Sequence, residues 1–256
     1  MWRTQENMRV AVVSDIHGNL TALEAVIADL KDVSPDLIVH GGDLVASGFR
    51  PAEVVDRIRQ LGWPGVLGNT DEMLWNPDRL AALRDTRLRG LGEALRHIAI
   101  ATAERIGPER IDWLRTLPTT WRSADLIISV VHASPEDLWR APLLDASDEN
   151  LECVYGSLRT AFVMYGHIHR SFIRTLPTQT VANCGSVSLS YDDDPRASYL
   201  VVENGKGIIR RVEYEIDREV IGLRQSQYPH ADWIGRILQT GHFRLPPSNE
   251  RVGEVS

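Results

Sequence analysis

The chain has 256 residues, of which 43% are hydrophobic and 25% are charged, as in ordinary globular proteins. Its formal net charge of −7 does not provide the positive surface expected of a generic nucleic-acid-binding protein. The sequence has no run of 18 apolar residues, no apolar leader and no CxxC spacing, and its only cysteines are Cys153 and Cys184. We therefore expect a cytoplasmic protein without a disulfide framework or a membrane-spanning segment.

Strand and helix patterns alternate through the first part of the chain. Short apolar runs predict buried strands, and apolar residues at helical spacing predict the helices between them. The predicted elements are a strand at 10–14, a helix at 20–30 capped by Asn19, a strand at 37–39, a helix with Pro51 near its start and Gly62 just past its end, and a strand at 65–67. This alternation indicates an α/β protein.

The second half begins as helix and ends rich in strands. The predicted elements are arginine-rich helices at 78–116 with stops at Gly107-Pro108 and Pro118, a strand at 126–131, a helix at 151–158, a strand at 162–165, an antiparallel run after Ser171 and a helix at 231–239. No internal repeat or low-complexity linker occurs. We therefore expect one domain at 8–247, with a core at 8–203, a C-terminal β/helix extension at 204–247, and flexible ends at 1–7 and 248–256.

Five short segments place polar side chains beside glycine or another small residue at the predicted strand ends. They are SDIHGN at 14–19, GGDLV at 41–45, GNTDE at 68–72, VHAS at 131–134 and GHIHR at 166–170. Open α/β sheets bind ligands at the carboxyl ends of their strands. The candidate ligands are Asp15, His17, Asp43, Asn69, His132, His167 and His169.

Seven oxygen and nitrogen donors can hold two divalent cations when one carboxylate is shared between them. The mixture of carboxylate, amide and imidazole suits Mn, Fe or Zn better than Ca. Paired metals generate hydroxide from a bridging water and clamp a phosphoryl group for in-line attack, which is the chemistry of phosphoester hydrolysis. Three segments taken alone have ordinary structural alternatives: Asp15 as a helix cap, His132 as a core imidazole and Asn69 as a turn residue. The signal of GHIHR is stronger, because two histidines two residues apart lie on one side of an extended chain and can meet neighbouring metals.

The ordered series DIHGN, GGDLV, GNTD, VHAS and GHIH resembles the motifs of the calcineurin-like metallophosphoesterase superfamily, from about Met8 to about Glu203. Within this range, NCGSVSLSYDDDPRASYLVVE resembles the ending of a small prokaryotic branch of phosphodiesterases and nucleotide pyrophosphohydrolases. The resemblance implies a four-layer α/β/β/α sandwich of two facing mixed sheets, with two divalent metal ions at their edge.

The resemblance also implies a role for each candidate. Asp15, His17, Asp43 and His169 would hold one metal ion, and Asp43, Asn69, His132 and His167 would hold the other. The same resemblance makes the second set the catalytic residues. Asn183 and Ser186 would belong to a loop that supports the site.

Thr70 departs from the superfamily pattern, in which many members have a histidine that protonates the leaving group. A hydroxyl cannot serve as a general acid near pH 7, so we expect substrates whose leaving oxygen is already acidic. Phosphoanhydrides, aryl phosphodiesters and cyclic nucleotides meet this condition. His40, next to the GGD turn, is an alternative proton donor. The competing interpretation is that it supports the site from the core.

Several further residues are candidates for substrate contact. Asn69, Thr70, Asn19 and Arg170 belong to or flank the ligand motifs, although Asn19 is equally explained as a helix cap and Arg170 as an exposed turn cation. Trp139 and Tyr191 are weaker candidates for stacking on a nucleobase, since aromatic side chains in loops more often pack over the core.

The expected partner is a small phosphorylated substrate, nucleotide-like in character, with neither a nucleic-acid polymer nor a membrane as partner. A homodimer stays open. Two other functions also stay open: a Ser/Thr protein phosphatase-like phosphomonoesterase, which Thr70 disfavours, and a non-catalytic phosphate- or nucleotide-binding module, which the intact set of donors disfavours.

Overall fold

A computed structural model describes residues 8–83, 88–124 and 127–247. The expected flexible ends, 1–7 and 248–256, lie outside the described residues. The strands are β1 (Val10–Val13), β2 (Leu37–His40), β3 (Thr120–Arg122), β4 (Ile128–Val131), β5 (Phe162–Tyr165), β6 (Phe172–Thr175), β7 (Thr180–Asn183), β8 (Ala197–Glu203) and β9 (Lys206–Val212). They form two mixed sheets, ordered β2-β1-β8-β9 and β3-β4-β5-β7-β6.

The described helices lie between and after these strands. They are α1 (Leu20–Val33), α2 (Pro51–Leu61), α3 (Asn69–Glu72), α4 (Arg89–Ile106), α5 (Pro108–Arg115), α6 (Asp148–Tyr155), α7 (Ile216–Gln225) and α8 (Ala231–Thr240), with 3₁₀ helices at Pro77–Leu83 and Gly156–Leu158. None of the helices in the described part of the chain has the length and apolar character needed to cross a bilayer.

The two sheets pack face to face, and helices cover their outer faces. Successive side chains of a strand point to opposite faces. In β1, Val10 and Val12 therefore enter the core between the sheets, while Ala11 and Val13 join the core formed with α1 and α2. On the second sheet, α6 packs through Leu151. The predicted four-layer α/β/β/α arrangement is confirmed.

Local chemistry explains where the first helices begin and end. The Asn19 side chain accepts a hydrogen bond from the backbone N–H of Ala22, at 2.9 Å, which caps α1. Helix α2 begins at Pro51 and ends at Gly62, whose φ of 65° is the left-handed conformation that glycine adopts without strain. The start of α1 and both ends of α2 are therefore set by short-range signals, whereas α1 extends to Val33, beyond the predicted 20–30.

Two sequence predictions differ from the structure, and two elements were missed. The predicted strand at 65–67 is only an isolated bridge between Gly65 and His40, because the N–H of Leu67 turns away to donate to Pro118. The predicted antiparallel run after Ser171 divides: β6 pairs antiparallel with β7 in one sheet, and β8 pairs antiparallel with β9 in the other. Strand β3 and helix α7 were missed; β3 has only three residues at a sheet edge, too few to show a periodic pattern.

Candidate metal centre

The strand ends predicted to carry ligands meet at one edge of the sandwich. Asp15 and His17 follow β1, and Asp43 follows β2 in the same sheet. His132 follows β4, and His167 and His169 follow β5 in the facing sheet. Asn69 begins α3. The structure thus brings all seven predicted residues into one cluster, in which His167 is half-buried and the other six are buried.

Backbone strain is concentrated in this cluster. Five of its seven members are non-glycine residues with φ between 52° and 66°, namely Asp15, His17, Asp43, His167 and His169. Side chains other than glycine rarely adopt this left-handed conformation, and it persists where the surrounding structure enforces it. The strain points to a site whose geometry is needed for function.

Two glycines allow the loops to approach so closely. A Cβ atom at Gly68 would collide with Asp43, and one at Gly166 would collide with the Asp15 carboxylate. The absence of a side chain at both positions lets the loops after different strands converge.

The first group of donors is Asp15, His17, Asp43 and His169. One ligand atom from each lies within 4.8 Å of the others. The Nε2 atoms of His17 and His169 are 3.2 Å apart, and His169 Nε2 is 3.0 Å from Asp15 Oδ1. These atoms converge on one point, as the ligands of a single cation would.

The second group of donors is Asp43, Asn69, His132 and His167. The Oδ1 atom of Asn69 lies 2.8 Å from His132 Nε2 and 2.9 Å from His167 Nδ1. Asp43 connects the two groups through different oxygens, because its Oδ2 is 3.7 Å from His17 Nε2 and its Oδ1 is 3.5 Å from His132 Nε2. A carboxylate facing both groups is suited to bridge two ions.

Backbone carbonyls orient three of the imidazoles. The Nδ1 atoms of His17, His132 and His169 lie 2.9, 2.8 and 2.6 Å from the carbonyl oxygens of Ala46, Gly41 and Leu189. A neutral imidazole that donates from Nδ1 keeps a lone pair on Nε2, which is the form that binds metals. These Nε2 atoms face one another and the carboxylates, so the donor set fits divalent cations.

Burial controls the charges of the histidines. It lowers the pKa of His17 and that of His167 to about 4, so both imidazoles are neutral near pH 7. Burial also lowers the pKa of His132, but the carboxylates of Asp43 and Asp15 outweigh it and raise that pKa overall. For Asp15, burial acts to raise the pKa, and the neighbouring imidazoles, His169 first, reverse this and hold it well below its usual range.

Asp71 connects two of the loops that carry the donors. The Asp71 carboxylate accepts from the backbone N–H groups of Leu44, Val45 and Gly68, at 2.9 to 3.2 Å, and so ties two ligand loops together. Sequence reasoning missed Asp71, although its place within GNTDE was a signal. Burial and the charge of Asp43 raise its pKa to about 7.

Ser186 lies on the loop that the sequence predicted to support the site. Its hydroxyl donates to the backbone oxygen of Asp15 at 2.8 Å and accepts from the N–H groups of Ser188 and Leu189. Since the Leu189 carbonyl in turn faces His169 Nδ1, Ser186 helps to orient a candidate ligand. The side chain of Asn183 likewise spans the loop, donating to the Gly166 carbonyl and accepting from the N–H of Gly185.

The candidate substrate-contacting residues occupy different places. Thr70 lies at the centre, with its N–H 2.8 Å from Asp43 Oδ1 and its hydroxyl without a hydrogen-bond partner among the described residues. Both polar atoms of the Asn19 side chain are engaged, one in capping α1 and the other with Ser188. Arg170 is exposed and borders a separate surface depression with His167.

His40 and Trp139 lie outside the centre. His40 is the last residue of β2, where it is fully buried near Trp113, and burial lowers its pKa to about 4. Trp139 donates from Nε1 to Glu72 at 2.7 Å.

A cavity of about 140 Å³ lies beside the cluster. We call the seven donors with Thr70 the floor; all of them except the fully buried Asp15 and His132 line the cavity. Its wall is apolar and is built from Leu91 and Leu95 of α4, Trp233 and Ile237 of α8, and the aromatic side chains of Tyr191 and Phe243. Tyr191 stacks on His169 with ring centroids 4.4 Å apart. Sequence reasoning named Tyr191 but missed the other five residues, which carry only ordinary core patterns.

The fold and the centre together define an α/β protein of two facing sheets with a buried Asp/His cluster that could bind a metal. The family model of the calcineurin-like phosphoesterase superfamily domain matches residues 8–207, and the chain belongs to that superfamily. Members of the family use divalent metals.

Relatives and a solved structure agree with this assignment. An uncharacterised protein of Methanocaldococcus jannaschii is 29% identical over 91% of this chain and 98% of its own length. A probable cyclic nucleotide phosphodiesterase of Synechococcus is 29% identical over 66% of this chain and 71% of its own. The crystal structure of a metallophosphoesterase from Sphaerobacter thermophilus superposes with a TM-score of 0.75 at 25% identity, covering 92% of this chain and 99% of that one.

Proposed function

We propose that the chain is a phosphodiesterase that uses two divalent cations to hydrolyse a small phosphorylated substrate. The observation that carries the proposal is the position of Asp43, whose two oxygens face imidazoles of different donor groups, His17 at 3.7 Å and His132 at 3.5 Å. Such a carboxylate is placed to be shared between two ions. The membership of a hydrolytic superfamily supports the reaction class.

The two donor groups described above would each hold one ion, with Asp43 common to both. The chemistry that Mn, Fe or Zn ions supply at such a site is a lowered pKa for bound water and neutralisation of phosphoryl charge. The protein contributes fixed geometry: the Ala46, Gly41 and Leu189 carbonyls keep three rings in place without rearrangement. Asp43, Asn69, His132 and His167 are the residues we propose to act closest to the phosphoryl group.

Thr70 restricts the class of substrate that we propose. It lines the cavity beside Asn69 and His167, where its hydroxyl cannot donate a proton as a general acid near pH 7. The leaving oxygen must therefore be acidic already, which favours phosphoanhydrides, aryl phosphodiesters and cyclic nucleotides over alkyl phosphomonoesters. The relative named as a probable cyclic nucleotide phosphodiesterase supports a diester.

The size of the cavity and the charge of the chain support a small substrate. A space of about 140 Å³ accommodates a small group, and a net charge of −7 offers no long electrostatic track for a polymer. Cys153 and Cys184 are both free thiols, which agrees with the proposed reducing cytoplasm.

Turnover assays with manganese would test the proposal. We expect bis-p-nitrophenyl phosphate to be hydrolysed at least about 100-fold faster than glycerol 2-phosphate, because the usual contribution of proton transfer is roughly 10²–10⁴-fold. A panel of phosphopeptides provides the comparison with a protein phosphatase. Equal turnover of the alkyl monoester, or preferred turnover of phosphopeptides, would contradict the proposal.

A further inference from the structure

The wall of the cavity differs in chemistry from the floor. Leu91 and Leu95 are half-buried on α4, and they face the cavity together with side chains of α8. The indole Nε1 of Trp233 donates to the backbone oxygen of Arg244 at 2.7 Å, so this polar atom is already engaged. Apart from the hydroxyl groups of Ser47 and Tyr191, the wall therefore offers the substrate carbon surface.

The aromatic part of the wall is continuous with the donor cluster. Tyr191 stacks on His169, and Phe243 packs against Tyr191 with centroids 5.0 Å apart. A flat group entering the cavity would meet aromatic surface directly beside a candidate ligand. Aromatic rings gain from offset-stacked or edge-to-face contacts in such surroundings.

The volume limits what can enter. An apolar cavity of roughly 150 Å³ is known to bind a single benzene ring, and this one measures about 140 Å³. Among the described residues that line it, none is lysine or arginine. Extra phosphate groups would thus find no cation from the protein there, whereas one six-membered ring would fill the space.

We propose that this cavity binds an aromatic substituent of the substrate, about one six-membered ring in size, and so selects aryl phosphodiesters. The inference rests on the proposed function, since the ring reaches the cavity while the phosphoryl group lies on the floor. A nucleobase is disfavoured because its polar edge needs several hydrogen-bond partners, whereas the lining outside the donors offers only the hydroxyl groups of Ser47, Thr70 and Tyr191.

Calorimetric binding to the manganese-supplemented protein tests the inference without turnover. The ligands are phenylphosphonate, methylphosphonate and thymidine 5′-monophosphate, and the first two differ only in the ring. Burial of one aromatic ring predicts roughly 10- to 100-fold tighter binding of phenylphosphonate than of methylphosphonate. It also predicts a negative heat-capacity change for phenylphosphonate. Thymidine 5′-monophosphate should bind less tightly than phenylphosphonate.

Two variants on the same helix locate the effect. Leu95→Trp should fill the cavity and reduce the phenyl-to-methyl affinity ratio to less than about threefold. The matched control is Ile100→Trp, at a position that is 51% exposed and outside the cavity, and its ratio should equal that of the wild type. Leu91→Trp provides a second filled variant if circular dichroism shows that Leu95→Trp is misfolded.

The outcomes separate the two proposals. Equal affinities for the two phosphonates in the wild type, no binding of either, or tighter binding of thymidine 5′-monophosphate would overturn the aromatic cavity, even if diesters are hydrolysed. A high phenyl-to-methyl ratio without any phosphodiester turnover would support the cavity and contradict the proposed function instead. An unchanged ratio in a folded Leu95→Trp protein would also overturn the cavity.

Discussion

The floor and the wall of the cavity are neighbours built on opposite principles. The floor gathers carboxylates and imidazoles, five of its residues have left-handed backbone, and carbonyl oxygens fix the rings of three of its histidines. The wall is made of leucine, isoleucine and aromatic side chains with no charge. The contrast suggests that the floor determines whether reaction occurs, while the wall determines which substrate is preferred.

The floor and the wall differ in the interactions that hold their side chains in place. Floor residues follow four strands whose ends are held in register by the sheets, so a small displacement of one loop affects several donors. Wall residues come from α4, α8 and two loops that pack through apolar contacts. Apolar packing tolerates substitutions of similar volume, so substrate preference can vary without loss of the reaction.

Replacement of Asp43 should have the largest effect. Asp43→Ala removes the carboxylate that faces both donor groups, and we expect turnover of bis-p-nitrophenyl phosphate to fall more than about 100-fold. Loss of a residue that merely supports a ligand already costs roughly 10- to 100-fold. Asp29→Ala, at a carboxylate paired with Arg210 away from the floor, is the control. Normal turnover by Asp43→Ala would show that the floor is not the reactive region.

Loosening the floor should affect all substrates alike. Ser186→Ala leaves two buried N–H groups without their acceptor and frees the loop that orients His169, so we expect turnover to fall roughly 10-fold. Methyl and phenyl esters of p-nitrophenyl phosphate should lose the same factor in steady-state assays. Ser190→Ala, at a buried serine on the same loop, is the control. A loss of turnover confined to the phenyl ester would contradict the separate roles of the floor and the wall.

Trimming the wall should change preference only. Leu91→Ala removes apolar surface beside the proposed ring site, and we expect kcat/KM for the phenyl ester to fall roughly 3- to 10-fold relative to the methyl ester. Leu88→Ala, one turn earlier and outside the cavity, is the matched control. Equal losses for both esters would mean that the wall supports the floor rather than selecting the substrate.

His40 should have the smallest effect on turnover, because it is fully buried at the end of β2 and does not line the cavity. We expect His40→Gln to keep the wild-type pH dependence of kcat/KM, and a shifted profile would assign His40 a role in proton transfer.

Stability gives His40 a second test. Burial lowers its pKa from 6.5 to about 4, so the unfolded chain binds the proton more readily and stability is lost as the pH falls through this range. The loss due to this group is on the order of 3 kcal/mol. Urea unfolding at pH 7 and pH 4.5 should show a smaller difference between the two pH values for His40→Gln than for the wild type.

The same contrast explains what the sequence could predict. All seven candidate donors could be proposed from the sequence because they lie in short motifs, six of them just after strands, and the Asn19 cap of α1 and the Gly62 cap of α2 are local signals. The left-handed conformation of Asp15 or His167 has no such signal, since loop convergence imposes it.

The wall was not predictable for a related reason. Leu91 and Trp233 are more than a hundred residues apart, and each fits an ordinary amphipathic helix. Only their packing on either side of the cavity gives them a common role. The prediction of a strand at 65–67 was wrong for the same reason, namely that it depended on a contact distant in sequence. The apolar run could not reveal that the N–H of Leu67 would donate to the carbonyl oxygen of Pro118.

Metal stoichiometry tests the central claim most directly. Metal-stripped protein titrated with manganese, with bound ions counted by calorimetry and elemental analysis, should take up two ions per chain, and Asp43→Ala should retain at most one. Uptake of no ion by the wild type, or of two ions with unchanged affinity by the folded variant, would contradict a centre shared through Asp43.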